Sequence, residues 1–308
     1  MSIKNTNSKV LLEDLKVSFK FAFKNVISFF LGILGVLLVT LIVLLGIVLI
    51  IFPLLFLSGG LEVFMTMVLD WVINYQTMSG AAMFLMILVI ITPILAPLMV
   101  AVGALYGMGR EIVESDGTTA EGVFVWYSKK FMSLAGGGLI QFLIALAPIA
   151  AVAIIFGPIS LGPSQFGLVA ITVAVIAVYA GIMTGLTSMV FPAIIDGHSV
   201  LDAVKISFRM SRTYFDRVFS VWFSFLGIAL LIALPMILPP LLQIPLMNAG
   251  TPLLALYAGI MGLFDVFILL PAMVIGMSRI YLILSSDNIS GSEHTEEGPS
   301  GIGFVGGL

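Results

Sequence analysis

The sequence predicts an all-α membrane protein with about six transmembrane helices, arranged as three parallel repeats of an amphipathic surface helix plus two spans. Three observations predict it. Apolar residues make up 60% of the 308 residues and charged residues only 9%, against about 45–50% and about 25% in soluble domains. That much apolar surface has no stable place in water, so lipid is the solvent expected for most of the chain. Six apolar stretches meet or exceed the roughly 20 residues that cross a bilayer, and Lys and Arg are confined to alternate connections.

The stretches are Val26–Leu57, Ala81–Met108, Phe131–Phe156, Phe166–Ile195, Val218–Pro239 and Leu253–Leu282. The first is too long for the roughly 7–15-residue core of a cleavable signal, and is expected to stay in the membrane. Pro93, Pro97, Pro192, Pro235 and Pro271 fall inside spans, where kinks are expected and neighbouring helices must satisfy the freed carbonyls. Basic residues occupy the N-terminal segment (Lys4, Lys9, Lys16, Lys20, Lys24), the second connection (Arg110, Lys129, Lys130), the fourth (Lys205, Arg209, Arg212, Arg217) and the end of the last span (Arg279). The remaining connections carry only Glu62 and Asp70. Positive charge favours the cytoplasmic side, so the expectation is a multi-pass cell-membrane protein with both termini cytoplasmic.

Each odd span is introduced by a related segment. In the first, Leu11, Leu12, Leu15, Phe19, Ala22, Phe23 and Val26 follow helical spacing, with Lys16, Lys20 and Lys24 opposite. This pattern fits a helix lying on the membrane surface. Lys205-Ile206-Ser207-Phe208 matches Lys16-Val17-Ser18-Phe19. The middle segment aligns without gaps, Phe124 to Phe19 and Lys129 to Lys24. Thr118 with Glu121, and Ser199 with Asp202, have the spacing of capping boxes, each after an Asp-Gly turn pair. The even spans repeat too: Tyr179-Ala180-Gly181-Ile182-Met183 recurs at Tyr257-Ala258-Gly259-Ile260-Met261, and Pro192 and Pro271 are each followed by Ala. The repeats therefore span about 11–108, 118–195 and 199–282 within a single transmembrane domain, 1–284. Residues 285–308, rich in Ser, Gly and Glu, read as a disordered cytoplasmic tail.

The segment Asp196-Gly197-His198-Ser199-Val200-Leu201-Asp202-Ala203-Val204-Lys205-Ile206-Ser207, after Phe191-Pro192-Ala193, resembles a group of prokaryotic six-helix membrane proteins. That group includes the membrane-anchor domain found beside some glycerophosphodiester phosphodiesterases. The resemblance implies a bilayer-embedded helical domain; the chain has no room for a phosphodiesterase domain, so that activity is not implied.

Asp265 is the one ionisable acid or base placed deep in a span. A charged residue there costs roughly 2.5–3.5 kcal/mol on insertion scales and marks a polar contact or an ion path. Both roles stand: a structural, protonated hydrogen bond, or transport. Gln141, Thr184, Thr187 and Ser188 are its candidate partners, although hydroxyls in spans mostly bond their own backbone. Gly103–Gly107 and Gly181–Gly185 are small-xxx-small pairs that favour close helix packing. Trp71, Tyr75, Trp126, Tyr127 and Tyr214 are candidate interfacial anchors. The cations Lys16, Lys20, Lys24, Lys129, Lys130, Lys205, Arg209 and Arg212 are candidate membrane-surface contacts. With no cysteine and two histidines, no metal site or cofactor is expected. No nucleophile–base pair appears in a span, so no enzyme is expected. A net charge of −3 gives no reason for nucleic acid. The expected partners are the lipid bilayer and, beyond it, a membrane protein or a second copy. Two functions follow: an embedded interaction, assembly or scaffold component, or a small-solute or ion transporter using Asp265.

Overall fold

A computed structural model describes residues 8–74, 80–115, 117–156, 166–241 and 250–292. Every regular element among them is helical. In chain order these are α1 (Ser8–Lys24), α2 (Val26–Leu57), α3 (Gly60–Asn74), α4 (Gly80–Ser115), α5 (Ala120–Lys129), α6 (Phe131–Phe156), α7 (Phe166–Leu186), α8 (Val190–Ile195), α9 (Val200–Thr213), α10 (Phe215–Leu241), α11 (Gly250–Phe264) and α12 (Leu270–Ser292). A π-helical turn, Asp265–Leu269, joins the last two. Among the described residues five helices are long and apolar enough to cross a membrane, and six if α5 and α6, bent by 83°, count as one broken span. The chain is therefore a multi-pass, all-α membrane protein.

The three segments that introduce the odd spans are helices, and each ends in an elbow. Asn25 (φ −108°, ψ 18°), Lys130 (φ −117°, ψ 16°) and Tyr214 (φ −116°, ψ 42°) leave the helical region one residue before α2, α6 and α10. These residues fall at the same position when Phe19, Phe124 and Phe208 are aligned.

The buried face of α1 is Asp14, Ser18 and Ala22, and that of α9 is Ala203, Ser207, Met210 and Ser211. These faces are narrower and more polar than the expected apolar stripes. Small side chains let the helix backbones approach the bundle closely, and a β-carbon added at Gly276 of α12 would lie 2.8 Å from Ser18 Oγ. Larger apolar residues turn outward instead, among them Leu12, Phe23, Leu201 and Phe215. The basic candidates sit beside them and are exposed, except for half-buried Lys130.

α4 is the centre of the packing, against α2, α5, α6, α8 and α12. Glycine explains its closeness to α6 in part: a β-carbon at Gly103 would lie 2.6 Å from Leu134 Cδ2. In the second glycine pair only Gly185 is tight, with Phe219 and Trp222 within 3 Å of an added β-carbon.

Several expectations change. The connection between the first two expected spans contains a helix, α3, packed on α2. α12 extends to Ser292, so residues 285–292 of the expected disordered tail are helical; the remainder lies outside the described residues, as does Tyr75. Tyr127 and Tyr214 are buried in the core rather than standing free at the interface. α9 has the expected cap, with Ser199 Oγ accepting from the Asp202 N–H at 3.3 Å. α5 does not: its cap residue is Thr119, with no side-chain bond, because Thr118 Oγ1 donates to Glu111 Oε2 at 2.7 Å. Gly197, at φ +109°, makes the turn into α9 in a region that favours glycine.

Candidate functional site

Charged groups at one end of the bundle form two clusters that the sequence reading did not anticipate. Asp14 of α1 is 3% exposed. It accepts from Arg279 Nη1 at 2.6 Å and from Arg217 Nη2 at 3.2 and 3.4 Å. One carboxylate thus binds the end of the last span and the start of α10. In the second cluster Arg110 of α4 donates to Asp196 at 2.7 Å and to Glu114 at 2.8 Å, and the Tyr281 hydroxyl donates to Asp196 at 3.0 Å. Arg279 and Tyr281, two residues apart on a helix of 3.6 residues per turn, point to opposite sides of α12. The helix therefore ties α1 and α10 on one side to α4 and the Asp196 turn on the other. His198 stands at the rim, 3.8 Å from Asp196 and exposed.

Above these clusters the fourth expected span is broken. α7 stops at Leu186 and α8 begins at Val190, with Thr187–Met189 as a turn. Pro192 has no N–H to give the Ser188 carbonyl, so the helix cannot run through unchanged. The freed groups find partners from neighbouring helices. Ser207 Oγ donates to the Leu186 carbonyl at 2.8 Å and accepts from the Met189 N–H at 3.1 Å; Ser211 Oγ donates to the same carbonyl at 3.2 Å. Gln141 Nε2 donates to the Thr187 carbonyl at 2.5 Å. Broken helices inside a membrane need this accounting, because lipid offers no hydrogen bonds.

Gln141, Thr184 and Ser188 line a cavity of about 260 Å³ with Tyr106, Trp222 and Met273. Thr184, Thr187 and Ser188 hydroxyls bond their own backbone, to Ala180, Met183 and Gly185 at 2.7, 2.8 and 2.7 Å. None of the four candidate partners bonds Asp265, which is not among the cavity's lining residues. That grouping is corrected on geometry: the four gather at the broken span, where unbonded carbonyls draw them.

Asp265 begins the π turn, in which the Leu270 N–H reaches back to the Asp265 carbonyl. Pro271 follows, and its ring would clash with the carbonyl four residues earlier; widening the turn relieves this. The turn packs against α1, α2 and α10, with the Phe267 ring tilted against Phe30, centroids 4.7 Å apart. Asp265 Oδ1 is buried and has no hydrogen-bond partner among the described residues. The break and the π turn each lie between a Tyr-Ala-Gly-Ile-Met run and a proline. Pro192 follows Tyr179 by 13 residues and Pro271 follows Tyr257 by 14, so the segment that holds the π turn is longer by one.

On the outer side of α9, Lys205, Phe208, Arg209 and Arg212 border an open groove of about 510 Å³. A second hollow of about 360 Å³ lies between α9 and α12, lined by Asp196, His198, Arg209 and Tyr281. Lys129 Nζ lies 5.8 Å from the Trp126 ring centre, and the Trp126 N–H is held by Glu111 at 2.8 Å.

No family model, curated protein or solved structure matches the chain.

Proposed function

We propose that the chain is a membrane-embedded scaffold whose surface helices α1, α5 and α9 seat in the anionic headgroups of the cytoplasmic leaflet and present that face to a membrane-protein partner or a second copy. The observation that carries this reading is the pairing of exposed cations with outward apolar side chains on helices that bend into spans at aligned elbows. Basic residues near a membrane surface attract anionic lipid by about 1 kcal/mol each, and Leu12, Phe23, Leu201 and Phe215 supply apolar contact beside them. The buried Asp14 cluster supports a fixed rather than loosely tethered face. Both termini lie in the cytoplasm on this reading, and the three surface-helix-plus-two-span units are copies of one repeat; the matched elbows and the related breaks in the even spans support that.

The test is reconstitution in nanodiscs of phosphatidylcholine alone or with phosphatidylglycerol. Anionic lipid is expected to raise the unfolding temperature of the native chain, and to do so much less when Lys16, Lys20, Lys205, Arg209 and Arg212 are changed to Gln. Equal unfolding temperatures of the native chain in both lipids would overturn the proposal.

A second reading, a transporter using Asp265, is favoured by the orphaned carboxylate oxygen in the π turn. On the scaffold reading Asp265→Asn folds and inserts normally with no functional loss. Loss of a solute or proton flux in correctly inserted Asp265→Asn would decide for transport.

A further inference from the structure

The geometry points to the cavity beside the broken span as a binding site for a small uncharged alcohol. Its walls come from α4, α6, α7, α10 and α12, within the apolar runs of the chain, so its ligand arrives from the lipid phase. No acidic or basic side chain lines it. An ion entering there would lose its hydration with nothing to replace it, which excludes carboxylates and amines as ligands.

The polar groups on the walls define what an uncharged ligand must offer. The Thr184 and Ser188 protons are committed to backbone carbonyls, and the Trp222 N–H is committed to the Gly181 carbonyl at 3.2 Å. Gln141 uses one N–H on Thr187, keeping the other and its carbonyl oxygen. Tyr106 is 96% buried, given its 4% exposure, yet its hydroxyl makes no hydrogen bond among the described residues. The hydroxyl is not among the fully enclosed polar atoms that lack a partner, so it keeps access to open space, where a ligand can accept from it. A ligand hydroxyl both donates and accepts, so it can meet either the Gln141 oxygen or the Tyr106 hydroxyl. At about 30 Å³ per water-sized group, the cavity holds on the order of ten non-hydrogen atoms. Met273, Phe142 and Ala145 give the ligand's hydrocarbon an apolar wall.

The absence of native cysteine makes the test direct. Thr184→Cys places one thiol in the cavity wall, and Leu231→Cys places one on the exposed outer side of α10 as a control. The protein in nanodiscs is labelled with N-ethylmaleimide, with 1-octanol, octane or octanoate added, and labelling is followed by mass spectrometry. 1-Octanol is expected to slow labelling at position 184 and leave position 231 unchanged, while octane and octanoate do neither. Tyr106→Phe, which keeps the ring, should weaken the alcohol's protection by about fivefold, the value of one neutral hydrogen bond; Gln141→Met should do the same. Equal protection by octane, protection that survives both variants, or a thiol that never reacts would each overturn the site.

Discussion

Replacing Asp14 by Ala would leave the Arg217 and Arg279 guanidiniums facing each other without a counter-charge. Arg217 has a 10% exposed side chain and Arg279 a 24% exposed one, so water can restore only part of their solvation. Removing one partner of a buried ion pair costs about 3–5 kcal/mol. At about 2 °C per kcal/mol for a chain of this size, unfolding should shift down by roughly 6–10 °C. The arginine variants have a different expectation. Arg217→Met and Arg279→Met each leave Asp14 one guanidinium, so each should fall less than Asp14→Ala. Replacing all three by apolar residues should recover much of the loss, because it removes the desolvated charges together. The assay is tryptophan-fluorescence melting of the purified protein in one fixed lipid nanodisc. A shift below about 2 °C for Asp14→Ala, or a larger loss for either arginine variant, would refute the idea that this carboxylate holds the two helices.

Ser207→Ala should cost about 1–3 kcal/mol, since the Met189 N–H is then buried without a partner; chemical denaturation against the native chain measures it. Gly103→Ala should destabilise by about 1–3 kcal/mol through overpacking where its β-carbon meets Leu134, read from the same melts. The Asp202 carboxyl is held below the ordinary carboxylate range by its hydrogen bond from Ser199, helped by Lys205. Its contribution to the α9 cap is therefore present above the unfolded carboxylate pKa and lost as pH falls through the lower folded value; carbon-detected NMR titration should show Asp202 moving up in Ser199→Ala.

Much of the fold was legible because lipid imposes simple rules. α2 begins and ends at Val26 and Leu57, as hydropathy alone places them. Helix α1 was visible from the spacing of Leu11, Leu15 and Phe19, but the fully buried strip of Asp14 and Ser18 beside them was not. Full burial there follows the size of Ser18, Ala22 and Ser207, because close packing on α12 and on the α7–α8 break needs small side chains, while the larger Leu11, Leu15 and Phe19 pack half-buried beside them. Asp14 was given no role in the sequence reading. Its partners are 203 and 265 residues distant in sequence, and nothing local names them; its place four residues before Ser18 on the small-residue face was the available signal. The polar candidates Gln141, Thr184, Thr187 and Ser188 were found by depth in the membrane. Depth does not say which helix a side chain meets, so their grouping with Asp265 failed while their gathering at Pro192's broken span followed from unmet backbone bonds.

The Asp14 cluster also orders assembly in time. Synthesis delivers Asp14 first, Arg217 some two hundred residues later and Arg279 last, and chains fold from the N-terminus as they emerge. Until the final span is in place, the carboxylate of α1 keeps its water and α1 lacks one of its two charged fastenings. Of the helices that this carboxylate joins, α12 is thus the last to be made, and until Arg279 emerges Asp14 is held by Arg217 alone.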